Sequence, residues 1–192
     1  ALKTSEIEGE YLNRESVVSS VRRHFGLATD HRRAKPAEQG IAMMMLRVYE
    51  AWAEPLSHEV LFQWHRMISN GRVDLNDIGC YRRDEEPMQV VSGRLDVPTI
   101  HFEAPPASEL EREMERFMVW YEQASGKGVV SPLPALTRAG LAHLYFVSIH
   151  PFEDGNGRIA RAIAMKVLAE AVQQPLLMSV SQAIQAKRKA YY

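Results

Sequence analysis

His150-Pro151-Phe152-Glu153-Asp154-Gly155-Asn156-Gly157-Arg158-Ile159-Ala160-Arg161 sets a base, an acid, two glycines and two arginines between two apolar segments. Upstream, Leu141 to Ile149 reads as a buried helix. Pro151 disfavours the helical conformation at the residue before it, so that helix ends at His150 and leaves the imidazole at a mouth. Downstream, Ile159, Ile163, Met165, Val167 and Leu168 resume an apolar pattern, so a second helix starts near Gly157. The loop between them is short and polar, with Phe152 as its one large apolar anchor.

The residue types in that loop suit a polyphosphate. Gly155 and Gly157 permit positive φ and close approach of another group to the backbone. Free N–H groups at the start of the second helix, with its dipole, form an anion site. Arg158 and Arg161 are three apart and project from one side of the helix start. Two guanidinium forks beside a row of amides match several phosphate oxygens better than one carboxylate. Asp154 is a hard oxygen ligand of the kind Mg²⁺ takes alongside substrate phosphates. His150, with an ordinary pKa near ~6.5, can accept a proton at neutral pH. Transfer of a phosphate-linked group to a hydroxyl follows from these parts.

The same twelve residues resemble the signature of the Fic family, H-P-F-x-[D/E]-G-N-G-R-x-x-R, at every specified position. The resemblance implies an all-α Fic-fold helical bundle with a small β-hairpin flap. It also implies AMP transfer from ATP, with Mg²⁺, to a Ser, Thr or Tyr hydroxyl of a target protein. In that reading His150 takes the hydroxyl proton and Asp154 holds the metal. The amides of Gly155, Asn156 and Gly157 cradle the phosphates, and Arg158 and Arg161 neutralise the β and γ groups. Gly157 stands where the Doc-type kinases of the wider family carry Lys.

Three further stretches resemble family elements. Thr4-Ser5-Glu6-Ile7-Glu8-Gly9 is similar to the inhibitory motif [S/T]-x-x-x-E-[G/N], which implies that Glu8 pairs with Arg161 and displaces the γ-phosphate. Gly79-Cys80-Tyr81-Arg82 resembles the G-x-[YF]-R element that precedes the target-binding flap. The β-like runs Val90–Val97 and Thr99–Phe102 then form the flap, whose edge at Val97, Thr99, Ile100 and His101 would hold the target backbone. Tyr191 and Tyr192 resemble a tyrosine pair near the adenine, which makes Tyr192 a nucleotide-binding candidate. Two rival readings stand beside transfer: removal of AMP at the same site with Glu8 positioning water, and a silenced Fic domain that only binds partners or DNA.

Elsewhere the pattern is helical. Residues 1–25 form an inhibitory helix region, broken or split at Gly9, and residues 26–192 the catalytic core and flap. Ala37–Ala53 carries Ile41, Met44, Met45, Val48, Tyr49 and Trp52 inward; its methionines read as core. Ser57 is an N-cap for the next helix, which ends at Asn70-Gly71. His58 and His65 lie seven apart on it, beyond the spacing of a helical metal pair, and read as structural. An amphipathic helix from about Ser108 to Ala124 and a last one from about Ser181 complete roughly eight helices.

Composition narrows the partners. With 192 residues and 46% hydrophobic, the chain is one domain's worth with ample core material. The 23 Lys and Arg nearly cancel 24 Asp and Glu, so nucleic acid is not an expected partner of this segment. Cys80 is the single cysteine, which excludes an intrachain disulfide and fits a reducing, cytoplasmic setting. No apolar run reaches transmembrane length and no signal peptide is visible. The chain lacks a starting Met and stops in a helix-like pattern, so segments beyond it are expected; homodimer formation is left open.

Overall fold

The computed structural model describes residues 1–28, 34–94, 97–127, 133–176 and 180–187. Among these the chain is an all-α bundle of eight helices with one two-stranded sheet. The first helix, α1 (Leu2–Ile7), stops where Gly9 was expected to interrupt it. Gly9 takes φ +80°, Gly9 N donates to Glu6 O (3.1 Å) and Glu10 N donates to Ser5 O (3.0 Å). This Schellman-type ending needs a left-handed residue after the cap, which glycine supplies without a Cβ penalty. It turns the chain sharply, leaving Glu8 and Glu10 on either side of the turn.

The chain then restarts in α2 (Arg14–His24), whose N-cap Asn13 accepts from Ser16 N at 3.0 Å. Asn13 N also donates to Glu38 Oε1 on α3 (Pro36–Glu50), at 3.1 Å. Ser57 caps α4 (His58–Ile68) as expected, accepting from Val60 N. A loop leads to the hairpin of β1 (Gln89–Arg94) and β2 (Val97–Glu103), paired antiparallel from Gln89↔Glu103 to Arg94↔Val97. After a 3₁₀ turn come α5 (Leu110–Glu122), α6 (Ala135–Ile149), α7 (Asn156–Val172) and α8 (Val180–Ala186).

The core is one cluster with α6 and α7 at its centre. Phe146 and Ile149 of α6 meet Ile159, Ile163 and Val167 of α7, and Met44, Trp64, Met114 and Phe117 close over them. The α3 methionine read as core is fully buried at Met44. Lys166, buried on α7, donates to the carbonyls of Trp52 (2.7 Å) and Glu54 (2.5 Å). It thereby satisfies backbone acceptors just past α3 and locks that helix to α7. Helices α3 and α4 touch closely at Gly40, where an added Cβ would stand 1.8 Å from Met67 O. Gly40→Ala should therefore force these helices apart and cost about 1–3 kcal/mol; a denaturant midpoint equal to that of the parent would disprove this packing account.

Candidate active site

The signature loop is built from its apolar anchor outward. Phe152 is fully buried and stacks on the ring of His65, 4.2 Å between centroids and 20° between planes. Phe62 and Phe146 also pack against it. Asn156 closes the turn: its Oδ1 accepts from Phe152 N (2.9 Å) and its Nδ2 donates to Phe152 O (2.7 Å). Both ends of that side chain are thereby turned to Phe152 in a buried position, and its backbone amide is the group that lies at the start of α7. Glu153, at an unspecified position of the signature, accepts from Asn76 N and Asp77 N and ties down the loop after α4.

At the upstream end, α6 stops at Ile149 and His150 is its C-cap with φ 51° and ψ 56°. At the downstream end, Gly155 is the N-cap of α7 with φ +83°, and a Cβ there would meet Ile68 Cδ1 at 2.3 Å. The first intrahelical bond runs from Ile159 N to Gly155 O. The amides of Asn156, Gly157 and Arg158 precede it and have no intrahelical acceptor. The sequence places Gly155, Asn156 and Gly157 at this end, but Gly155 N donates to Asp154 Oδ1 at 2.6 Å, so the amide of Arg158 stands in its place.

A carboxylate of the chain itself lies against this end. Glu8 Oε1 accepts from Arg161 Nη2 at 2.6 Å, and a Cβ on Gly157 would stand 2.3 Å from the same oxygen. Arg161 is 2% exposed, and it also bonds Thr4: Nε donates to Oγ1 (2.7 Å) and Nη2 to the carbonyl (2.8 Å). The contact is thus single rather than forked, with Nη2 shared between Glu8 and the Thr4 carbonyl. Arg158 is engaged as well, through Glu10 (3.0 Å) and Asp154 (3.1 Å). The Glu10 contact carries no sequence signal of its own, since the inhibitory motif ends at Gly9 and covers Glu8 only.

Asp154 receives Arg72 Nη1 at 2.5 Å in addition to Arg158. Burial works to raise its pKa, but Arg158, Arg72 and the Gly155 amide hold it below the ordinary carboxylate value. It is ionised at neutral pH, as a metal ligand must be. Among the described residues no cluster of three or more metal-ligating side chains exists. One carboxylate beside the start of α7 fits Mg²⁺ held mainly by substrate oxygens, and the Glu8 carboxylate beside Gly157 shows that an anionic group fits next to that start. For His150, burial lowers the pKa below its ordinary 6.5, Arg82 adding to the effect and the Val147 carbonyl, Asp154 and Glu8 opposing it. The ring is neutral and able to accept a proton at pH 7.

The hairpin reaches this region through Arg82, which bonds to the carbonyls of His150 and Pro105. Thr99, Ile100 and His101 are exposed on β2, and Val97 pairs with Arg94 at the hairpin end. No further strand covers the hairpin among the described residues. Tyr192 lies outside the described residues. His65, set aside in sequence as structural, underlies the loop itself. His58 bonds Tyr81 OH at 2.5 Å beneath the same loop.

A helical pair joined by this loop, with two buried arginines and a neutral histidine, is the architecture of Fic domains. The Fic/DOC family model matches residues 55–168, and the chain belongs to that family. Residues 1–27 match a second family model, described as a domain of unknown function (DUF4172). Protein adenylyltransferase Fic of Drosophila erecta is 30% identical over 132 residues, 69% of this chain and 22% of that protein. Its counterpart in Drosophila virilis is 32% identical over the same share of the chain and 23% of its own length. The chain thus spans less than a quarter of these curated relatives. Among solved structures, a Fic family protein from Desulfovibrio desulfuricans G20 superposes with a TM-score of 0.69 at 23% identity, covering 99% of this chain and 53% of that one. A Fic domain containing signaling protein from Bacteroides thetaiotaomicron gives 0.67 at 22% identity, covering 98% and 67%. These likenesses bear on the fold. No described helix is long and apolar enough to cross a membrane.

His65 gives the site a pH signature in stability. It is fully buried, its Nδ1 accepts from Gly79 N at 3.0 Å, and desolvation pulls its pKa from 6.5 to about 4. A histidine depressed on folding contributes stability that is present above its unfolded value and lost as pH falls toward the folded one. Stability should therefore decline between pH 6.5 and about 4, before the carboxylates of Asp77 and Asp154, with an ordinary value of 3.8, begin to titrate. Denaturant unfolding at pH 7 and pH 5 checks this. His143, which burial also pulls to about 4, and His150 share this window, so His65→Gln should reduce the decline in part, and an unchanged slope would contradict it.

Proposed function

We propose that the protein transfers AMP from ATP to a hydroxyl of a target protein, and that its own N-terminal segment inhibits the reaction. The observation that carries the reading is the Glu8 carboxylate seated on Arg161 over Gly157, where an anion would meet the start of α7. The family supports nucleotide transfer in general, and the residues of the loop specify how it would proceed.

In the reaction, the target hydroxyl oxygen attacks the α-phosphorus and the bond to the bridging oxygen of the β-phosphate breaks. Pyrophosphate leaves, and the hydroxyl proton passes to the neutral imidazole of His150. The amides of Asn156, Gly157 and Arg158 orient the phosphates, while Arg158 and Arg161 balance charge on the departing oxygens. Mg²⁺, bound through Asp154, would add Lewis-acid neutralisation of phosphate charge. The side chain of Asn156 acts indirectly, by holding the turn that aims these amides. The exposed edge of the hairpin would align the target backbone as an added strand.

Inhibition follows from occupancy. Arg161 is committed to Glu8 and Thr4, and Arg158 to Glu10 and Asp154, so a triphosphate competes with two internal carboxylates. Both acidic side chains are about a third exposed, 37% for Glu8 and 35% for Glu10, so solvent screens these pairs and displacement is feasible.

Incubation with labelled ATP, Mg²⁺ and a cell lysate tests the reading. Glu8→Gly should label proteins well above the parent, and adding Glu10→Gln should raise ATP affinity further by freeing Arg158. His150→Ala in the Glu8→Gly background should lower labelling by about 10²–10⁴-fold with ATP binding retained. Label transfer at the parental rate in that variant would remove His150 as the base. The rate should also hold constant down to below pH 6.5, since the acid limb follows the lowered pKa of His150.

A further inference from the structure

Arg82 is 3% exposed and stands between the signature loop and the base of the hairpin. Its Nε donates to His150 O at 2.8 Å and its Nη2 donates to Pro105 O at 2.5 Å. Its own backbone N–H donates to Pro151 O at 2.9 Å. Pro105 follows directly on the residue that closes the hairpin, where Ala104 N donates to Met88 O. Among the described residues Arg82 forms no ion pair, so this buried cation is held by backbone carbonyls. A buried guanidinium is tolerated only where acceptors are well placed, which makes its position demanding.

The carbonyls it holds belong to strained backbone. His150 is one of two non-glycine residues with positive φ among those described, a conformation that persists only where its surroundings hold it. Pro151 bars the helical alternative, but it does not by itself choose the left-handed one over extended backbone. Arg82 bonds the carbonyls on both sides of the His150–Pro151 step and so selects the observed turn. A cation there also suits the negative end of the α6 dipole.

We propose that Arg82 is a positioning residue for transfer: it fixes the His150 imidazole relative to the hairpin edge on which the target would lie. The proposal rests on the AMP-transfer reading. A planar fork reaches two carbonyls from different segments at once, which the point charge of lysine cannot do. Arg82 makes no contact with Arg158, Arg161 or the start of α7 among its recorded bonds. Its loss should misplace the base and leave the phosphate cradle alone.

The test uses Glu8→Gly as parent and compares it with Glu8→Gly/Arg82→Lys and Glu8→Gly/Arg82→Met. Single-turnover AMP transfer at saturating ATP should fall about 10²-fold in the Met variant, with partial recovery in the Lys variant, while the Kd for a non-hydrolysable ATP analogue stays within about twofold. A folded variant that transfers at the parental rate overturns the proposal. So does a loss of rate matched by an equal loss of ATP affinity, which would mean general damage to the site. If the variants do not fold, NMR of the parent decides: Arg82 Nε–H should exchange with solvent far more slowly than in free arginine, and exchange at the free rate overturns the contact. If the parent itself transfers no AMP, the functional reading fails separately. The His150 ring signals then read the positioning, since they should shift in Arg82→Lys while those of His24 on α2 stay; unmoved His150 signals would sink it.

Discussion

The clamp between Phe152 and Asn156 is the constraint on which the site depends. A buried turn must satisfy its own backbone polar groups, and Asn156 does so for Phe152 with a pair of bonds, one donated and one accepted. Its side chain works as a short piece of backbone. Phe152 is thereby driven into the core between His65, Phe62 and Phe146, and the chain must reverse over it. That reversal ends α6 at His150 and begins α7 at Gly155, so the base and the anion-facing amides inherit their separation from one apolar anchor. The His65 side chain bonds Gly79 N and supports the other face of Phe152, linking the loop after α4 to the same turn.

Electrostatics then divides the site into two layers. Arg161 and Arg158 are buried, 2% and 6% exposed, and a cation so placed cannot remain without acceptors. Glu8, Glu10 and Asp154 form the outer layer and are more accessible. Removing a carboxylate therefore leaves a buried positive charge in search of an anion, which is the condition under which phosphate oxygens bind well. The same burial that makes the internal pairs necessary makes the arginines strong phosphate ligands once the pairs are broken. Arg72 does the corresponding service for Asp154, at the rim rather than in the interior.

Much of this was legible in sequence. The signature loop is a contiguous stretch whose proline, glycines and apolar anchor each have local consequences, and the helix ends at Ser57, Gly9 and His150 follow from capping and proline rules. The pairing of Glu8 with Arg161 was also readable, though only through the family motif. Glu10 on Arg158, Arg72 on Asp154 and Arg82 on His150 were not. Each joins residues far apart in the chain, 148, 82 and 68 positions respectively, and no spacing rule connects them. Asn156 was read into the phosphate cradle, and its place in the sequence does not say whether its side chain joins its amide there or turns back onto the loop backbone. Only the packing of Phe152 decides between them. His65 looked incidental for a similar reason: a lone histidine on an apolar helix face carries no sign of what will stack on it.

The inhibitory segment can release its grip in stages. Helix α1 has six residues, too few to be stable by propensity, so packing fixes its place. Ile7 and Ser5 are buried beneath it, Thr4 holds Arg161, and Glu6 accepts from Gln185 of α8 at 2.8 Å. Glu8 itself sits at the end of the helix with its carboxylate partly in water. Rotation of that side chain alone breaks one charged hydrogen bond at a part-buried site and leaves the Thr4 bonds to Arg161 in place, the smaller loss of the two. Lifting α1 would also strip Arg161 of both Thr4 bonds and expose the apolar underside, a far larger one. Release by side-chain rotation, with the helix left in place, is therefore the lower path, and it leaves Thr4 still orienting Arg161 toward whatever anion takes the place of Glu8.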